Sequence, residues 1–384
     1  MASIPIIDLF SGAGGLSLGA LQAGADVRLM VDFDAASCRT LRMNEQYHNG
    51  VVWEEDVSDD SVVTGESLRR LAQLSSGDCL VVVGGPPCQP FSKAAYWTDP
   101  GDEAAYRRAR ARGEPALRPS SPIAARPDSR RSLVQEYWRL VQESDADGFL
   151  FENVPSIMHA RNRPVLEEML VAAGRAGYKT TLVKANAAEY GVPQRRVRVF
   201  VLGSRLAKPT PPERTHTLNS EGGLLPAVTA GEVLSDFESD EFFEPEEVVT
   251  GRWAEHLRAI PPGQNYKFHT AWAGHPDPTF ETETRFWSFL LKLDPGCTSW
   301  TIPANPGPWV GPFHWDSRRL RTAELAALQG FPKGYHFSGN RRERVRQIGN
   351  AVPPPLARRM VEQVLKALNL DPTELLRQEV AVQA

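Results

Sequence analysis

Between residues 4 and 85, short apolar, β-branched runs alternate with stretches of helical periodicity. Ile4 to Phe10, Val27 to Val31, Val51 to Trp53 and Leu80 to Val83 read as strands, with helical patterns between them. Strands that alternate with helices are joined by crossovers, so this grammar predicts a parallel sheet. The alternation resumes with a helix near Leu133 to Glu143, a strand Gly148 to Phe151, a helix near Pro164 to Ala173, and strands near Thr181 to Lys184 and Val197 to Leu202. The expected fold class is α/β, a doubly wound, Rossmann-like domain over residues 1–204.

From Arg205 to Trp315 neither period persists, and this stretch holds fourteen of the 31 prolines and six of the nine tryptophans. It is expected to be a second, smaller and irregular unit, residues 205–315. Helical patterns near Thr322 to Gln329 and Pro355 to Asn369 follow, and residues 316–384 are expected to rejoin the first domain. Asp99 to Asp128, rich in Arg, Ala and Pro with hardly an apolar run, reads as a long mobile loop.

Composition narrows the classes. With 384 residues, 41% of them hydrophobic and 23% charged, the chain can bury its own core. No stretch approaches the roughly 20 apolar residues of a membrane span, and the opening MASIPIIDLF lacks signal-peptide grammar, so a cytoplasmic protein without membrane contact is expected. Four cysteines with no CxxC pair indicate neither a disulfide framework nor a metal site. The net charge of −4 argues against coating nucleic acid by bulk charge but permits a local basic cleft. Arg107 to Arg131 and Arg318 to Arg346 are two basic zones, whereas Glu232 to Glu247 carries eight acids and no base and reads as a solvated, mobile face.

The first strand runs into DLFSGAGGLSLG (Asp8 to Gly19), where glycines at a strand-to-helix turn either merely make the turn or let the backbone approach a nucleotide-like cofactor. A dinucleotide fingerprint starting at Gly12 and Gly14 would need glycine where Ser17 stands, which disfavours NAD and FAD. Asp32, twenty residues past Gly12, can accept ribose hydroxyls, and Phe33 can stack on adenine. That combination suits S-adenosylmethionine better than a dinucleotide. VVVGGPPCQPFS (Val81 to Ser92) sets Cys88 just past a strand, in the crevice where open α/β sheets bind ligands, held by flanking prolines. It reads as a nucleophile, the alternative being a small buried side chain. Glu152 in FENV leaves the next strand at the same edge. In QRRVRVF, Arg196 and Arg198 share one side of an extended run and can hold a carbonyl oxygen or phosphate, or simply form surface salt bridges.

With RRLRTAELAALQGFP (Arg318 to Pro332) and RQIGNAVPPPLA (Arg346 to Ala357), these motifs resemble those of the DNA (cytosine-5) methyltransferase family, bacterial type, in the family's order. The resemblance implies that Phe10, Gly12, Gly14, Leu16, Asp32, Phe33, Asp56, Val57, Pro86, Asn350 and Ala351 surround S-adenosyl-L-methionine. Asp56 and Val57 rest on order and length. It further implies that the Cys88 thiolate adds to carbon 6 of a flipped-out cytosine, that Glu152 acts at N3 and that Arg198, beside Arg196, stabilises charge at O2. Residues 205–315 would then read the sequence of double-stranded DNA, with Arg214, Arg252, Arg258 and Arg285 as candidates for guanine edges. The tryptophans there are expected in a core. A monomer is expected, with a restriction endonuclease acting on the same site as partner. Two rivals are a tRNA cytosine-5 methyltransferase and a catalytically inactive DNA-binding protein. The tRNA enzymes carry a Cys-Phe-Thr signature in the recognition region, where this chain has only GCTSW. Intact Cys88, Glu152 and Arg198 argue against inactivity.

Overall fold

The computed structural model describes residues 3–91, 102–117, 128–219, 222–282 and 285–369. Strands β1 (Pro5–Leu9), β2 (Asp26–Asp32), β3 (Val51–Glu54), β4 (Val81–Gly84) and β5 (Gly148–Asn153) follow the predicted runs to within two residues. After β5 come β6 (Lys179–Asn186), the two-residue β7 (Gln194–Arg195) and β8 (Val197–Ser204). The main sheet has seven strands in the order β3-β2-β1-β4-β5-β8-β6. The first five are mutually parallel, whereas β8 runs antiparallel to both β5 and β6, which corrects the all-parallel expectation. The cause is chain length. The connection from Asn186 to Val197 is too short for a helical crossover, so the chain turns back on itself.

Side chains alternate across the sheet, and each face buries its own core. Ile7, Leu9, Val82, Phe149, Phe151 and Val201 face α5 (Leu133–Glu143) and α6 (Arg163–Arg175), which follow α1 (Gly15–Gln22), α2 (Ala35–Met43), α3 (Gly65–Leu71) and α4 (Asp102–Ala111) in the chain. Ile6, Val27, Val81, Leu150, Phe200 and Leu202 face α1 and the C-terminal helix Pro354–Leu368, whose Leu356, Met360 and Val364 complete that layer. The last helical segment thus packs on the first sheet. Among the described residues no helix is long and apolar enough to cross a membrane.

The segment after Ser204 is built from one- and two-turn helices and two-residue strands around a small core of Val249, Leu257, Ile260, Tyr266, Phe280, Leu290 and Phe313. Its tryptophans divide. Trp253 and Trp309 pack on this core, but Trp272 is 75% exposed and Trp287 is 45% exposed, against the expectation of core tryptophans.

Two further expectations are corrected. Within the expected loop Asp99 to Asp128, Asp102–Ala111 is helical; residues 99–101 and 118–127 lie outside the described residues. The acidic run is a solvated face at Glu232, Asp236, Glu238, Asp240, Glu241 and Glu246, which are exposed, but not at its other two acids. Glu247 is buried against Arg321 at 2.5 Å, Glu244 pairs with Arg341, and Glu232 caps the helix Ala230–Leu234. Five of the eight cations in the basic zone Arg318 to Arg346 therefore face the protein's own carboxylates, since Arg318 also pairs with Glu324 at 2.6 Å, Arg346 with Asp34 at 2.8 Å, and Arg344 lies 3.7 Å from Glu244.

Candidate active site

The C-terminal ends of β1, β2, β4 and β5 open into one cavity of about 720 Å³. Phe10, Gly12, Leu16, Asp32, Phe33, Asp56, Val57 and Pro86 line it, joined by Asn350 and Ala351 from the far end of the chain. Cys88, Glu152 and Arg198 line the same space. Gly14 does not. It takes a left-handed φ of 81° at the N-cap of α1, and a Cβ there would lie 2.7 Å from Leu41, so glycine is needed for the turn itself.

On the cofactor side, Asp32 accepts Gly12 N at 2.7 Å and Asp34 N at 2.8 Å. These bonds fix its carboxylate at the end of β2 and leave lone pairs toward the cavity. Burial outweighs both bonds and raises its pKa. Phe10, the first residue beyond β1, has φ 59°, an uncommon conformation for a residue with a side chain and one that recurs at functional sites. Phe33 is 69% exposed, and a large aromatic face left open inside a cavity is a stacking surface. A carboxylate for hydroxyls beside a ring for a base fits the adenosine of S-adenosylmethionine.

On the reactive side the PPC turn is fastened from the next strand. Asn153 Nδ2 donates to Pro86 O at 3.1 Å, Phe91 N donates to Cys88 O at 3.0 Å, and Ser156 donates to Phe91 O. Gly85 makes room: a Cβ there would sit 2.9 Å from Glu152 Oε2. Arg198 Nε lies 2.9 Å from Glu152 Oε1, with both side chains nearly buried. Burial pushes the Glu152 carboxyl above its usual range, against the pull of Arg198 and Arg196. Burial likewise pushes the Cys88 thiol up, opposed by Arg198 and reinforced by Glu152. A thiol raised in this way favours its protonated form.

Arg196 shares a side with Arg198, as its spacing predicts, but its guanidinium turns away from the cavity. It donates to Gly349 O at 2.6 Å and Ile302 O at 3.3 Å and is almost wholly buried. Among the described residues no group of three or more His, Cys, Asp or Glu side chains is placed to hold a metal ion.

The profile of C-5 cytosine-specific DNA methylases matches residues 4–106 and 124–366. The chain belongs to this family. It is a DNA cytosine-5 methyltransferase, with 34% identity to Type II methyltransferase M.SacI of Streptomyces achromogenes, covering 95% of this chain and 93% of that protein. M.XorII of Xanthomonas oryzae pv. oryzae, also a Type II methyltransferase, is 30% identical over 95% of this chain and 85% of its own. Among solved structures, a protein described as a prophage-encoded DNA modification methyltransferase of E. coli superposes with TM-score 0.64 at 23% identity, covering 96% of this chain and 100% of its own. S. pombe Dnmt2 methyltransferase superposes with TM-score 0.54 at 16% identity, with the same coverage. At those identities the likeness establishes the fold alone.

The cavity of this methyltransferase also contains residues that its motifs do not reveal. Arg130, fixed by Asp128 at 2.7 Å, and Ser129 and Ser132 reach it from the chain just before α5, and Asn305 reaches it from the irregular segment. The DSRRS run, set just before an amphipathic helix, is the one sequence signal that marks the first three. Asn305 has none. Of the arginines expected at guanine edges, Arg214 pairs with Glu189, Arg258 pairs with Glu255, and Arg252 and Arg285 lie over aromatic rings.

Proposed function

We propose that this methyltransferase transfers the methyl group of S-adenosyl-L-methionine to carbon 5 of a cytosine flipped out of a specific duplex sequence, through a covalent adduct on Cys88. The observation that carries this reading is the convergence of Cys88, Glu152 and Arg198 on the cavity that Asp32 and Phe33 also line. Asp32 would hold the ribose, Phe33 the adenine, and Gly12, Asn350 and Ala351 the walls around them. When bound, S-adenosylmethionine supplies an electrophilic methyl group, which an unactivated cytosine cannot take.

The chain's own groups provide the activation. Cys88 Sγ, once deprotonated, forms a bond to carbon 6, and the displaced electron density runs toward N3 and carbon 5. Glu152, whose carboxyl burial pushes up, donates at N3 and so neutralises the charge as it develops, while Arg198 orients that carboxyl and faces O2. A base inside a stacked duplex cannot reach a thiol in such a cavity, which is why flipping belongs to the reading. After methylation a base takes the proton from carbon 5, the C–S bond breaks to restore the thiolate, and the N3 proton returns to Glu152.

Residues 205–315 are assigned to target recognition and residues 1–204 with 316–384 to catalysis. The Type II names of its relatives favour a role in restriction-modification, beside an endonuclease of the same specificity. The same reading takes the protein to act in the cytoplasm as a monomer.

The test uses a duplex whose target cytosine bears fluorine at carbon 5. Addition and methylation proceed, but no proton remains for elimination, so a denaturant-resistant protein–DNA complex should accumulate with S-adenosylmethionine. Peptide mapping should place it on Cys88, and Cys88→Ala should abolish it. An adduct on Cys38, Cys79 or Cys297, or undiminished methylation by Cys88→Ala, would overturn the mechanism.

A further inference from the structure

Residues Ile302 to Asn305, inside the irregular segment, form a short passage that reaches the catalytic cavity at its last residue. Asn305 lines that cavity together with Cys88, Glu152 and Asn350. Two buried side chains of the QRRVR run hold this passage. Gln194 Oε1 accepts from Ile302 N at 3.1 Å, and Arg196 donates to Ile302 O from one nitrogen and to Gly349 O from another. Gln194 Nε2 donates to Gln329 Oε1 at 2.6 Å, and Gln329 Nε2 donates onward to Ala351 O at 2.5 Å. All three side chains are buried.

Packing adds a second, independent link. Gly349 backs directly onto the passage, where a Cβ would lie 2.5 Å from Ala304 Cα. On the other side of the same turn, a Cβ at Gly15 would lie 2.2 Å from Val352 O. The turn from Gly349 to Val352, which carries Asn350 and Ala351, is therefore clamped between the glycine loop and the passage. Buried hydrogen bonds of this kind are costly to leave unmade, and close-packed backbone transmits displacement and does not absorb it. If Ile302 shifts, Gly349 and Ala351 must shift with it.

We propose that Gln194, Arg196 and Gln329 are positioning residues that couple engagement of DNA by residues 205–315 to the shape of the cofactor wall at Asn350 and Ala351. The proposal rests on the cofactor and recognition roles assigned above. It assigns Arg196 a role that differs from its expected place beside the reacting base. The coupling is reciprocal: DNA tightens cofactor binding by the factor by which cofactor tightens DNA binding.

The experiment first finds the target site by bisulfite sequencing of DNA from cells expressing the protein, then measures binding of S-adenosylhomocysteine, which cannot react, by calorimetry with and without a duplex carrying that site. Wild-type protein should bind it about 5- to 150-fold more tightly with the duplex, the usual range of such couplings. Gln329→Met and Arg196→Lys should each bring that ratio within about twofold of unity, with the circular dichroism of the folded protein retained. Hydrogen exchange on the unaltered protein gives a second readout, since adding duplex without cofactor should slow the amides of Gly349 to Ala351. A wild-type protein that binds neither ligand would refute the functional reading and the proposal with it. Independent binding of both ligands, coupling that survives in both variants, or unchanged exchange at Gly349 to Ala351 would overturn the relay alone.

Discussion

The Glu152 carboxylate and the Arg198 guanidinium meet at 2.9 Å on adjacent antiparallel strands, one at the end of β5 and the other at the start of β8. The pairing depends on the turn-back that makes β8 antiparallel. A parallel strand would bring a different end of the QRRVR run to the cavity. Burial and the ion pair act on Glu152 in opposite directions, and burial wins, so its carboxyl lies above the usual range.

Glu152→Gln keeps the shape of that side chain and removes its proton chemistry. Turnover should fall by about 10² to 10⁴, the usual worth of a positioned acid, while duplex affinity changes by less than about threefold because phosphate contacts dominate binding. Single-turnover methylation and gel-shift titration check this. Equal losses in both would remove Glu152 from the chemical step.

Gly85→Ala tests the space that Glu152 needs. The new Cβ meets the far end of a side chain and not backbone, so the unfolding free energy should change by less than about 1 kcal/mol. Turnover should fall by about tenfold or more, since a reactive group displaced by an ångström loses much of its effect. Full activity in this variant would show that the carboxyl does not act from the observed position.

Asp8 sits beneath the glycine loop, fully buried, with Ser17 donating to its carboxyl, and burial raises its pKa from 3.8 to about 7. Because the folded-state value lies above the unfolded one, the folded protein holds a proton that the unfolded chain has already lost. Stability attributable to this group is full below about pH 4, declines as pH rises, and reaches its floor above about pH 7. Asp8→Asn should remove that slope, so its advantage over wild type should grow to a few kcal/mol between those limits. Urea unfolding at pH 5 and pH 8 measures it, and parallel pH profiles of the two proteins would contradict the assignment.

Arg321→Met leaves the buried Glu247 carboxylate without its partner. A loss of about 3–5 kcal/mol is expected, the usual cost of half a buried pair, read as a lowered thermal midpoint with S-adenosylhomocysteine binding retained in the folded fraction. An unchanged midpoint would mean that Glu247 finds water or another cation.

Most of the sheet and nearly all of the cavity were legible in the sequence because their signals are local. The helix Leu133–Glu143 announces itself by one apolar face, and Cys88, Asp32 and Glu152 each stand at the end of an apolar run. What escaped was long-range. The partners of Glu244 and Glu247 lie more than seventy residues away, so nothing near them in sequence distinguishes a buried clamp from a solvated acidic face. Arg196 and Arg198 share a motif and a side, yet one faces the cavity and the other two backbone carbonyls, and only the fold separates them. Asn305 lies in proline-rich sequence with no period, so no pattern could bring it to the cavity wall.

The clamp of Glu244 and Glu247 on Arg341 and Arg321 bears on how the protein can be handled. Salt at the concentrations that strip a protein from DNA screens charges facing water, but it reaches a buried pair such as Glu247 with Arg321 far less. The irregular segment should therefore stay seated on the catalytic body while DNA is washed away. The enzyme recovered from such a wash would be ready to bind again without reassembling its reading surface.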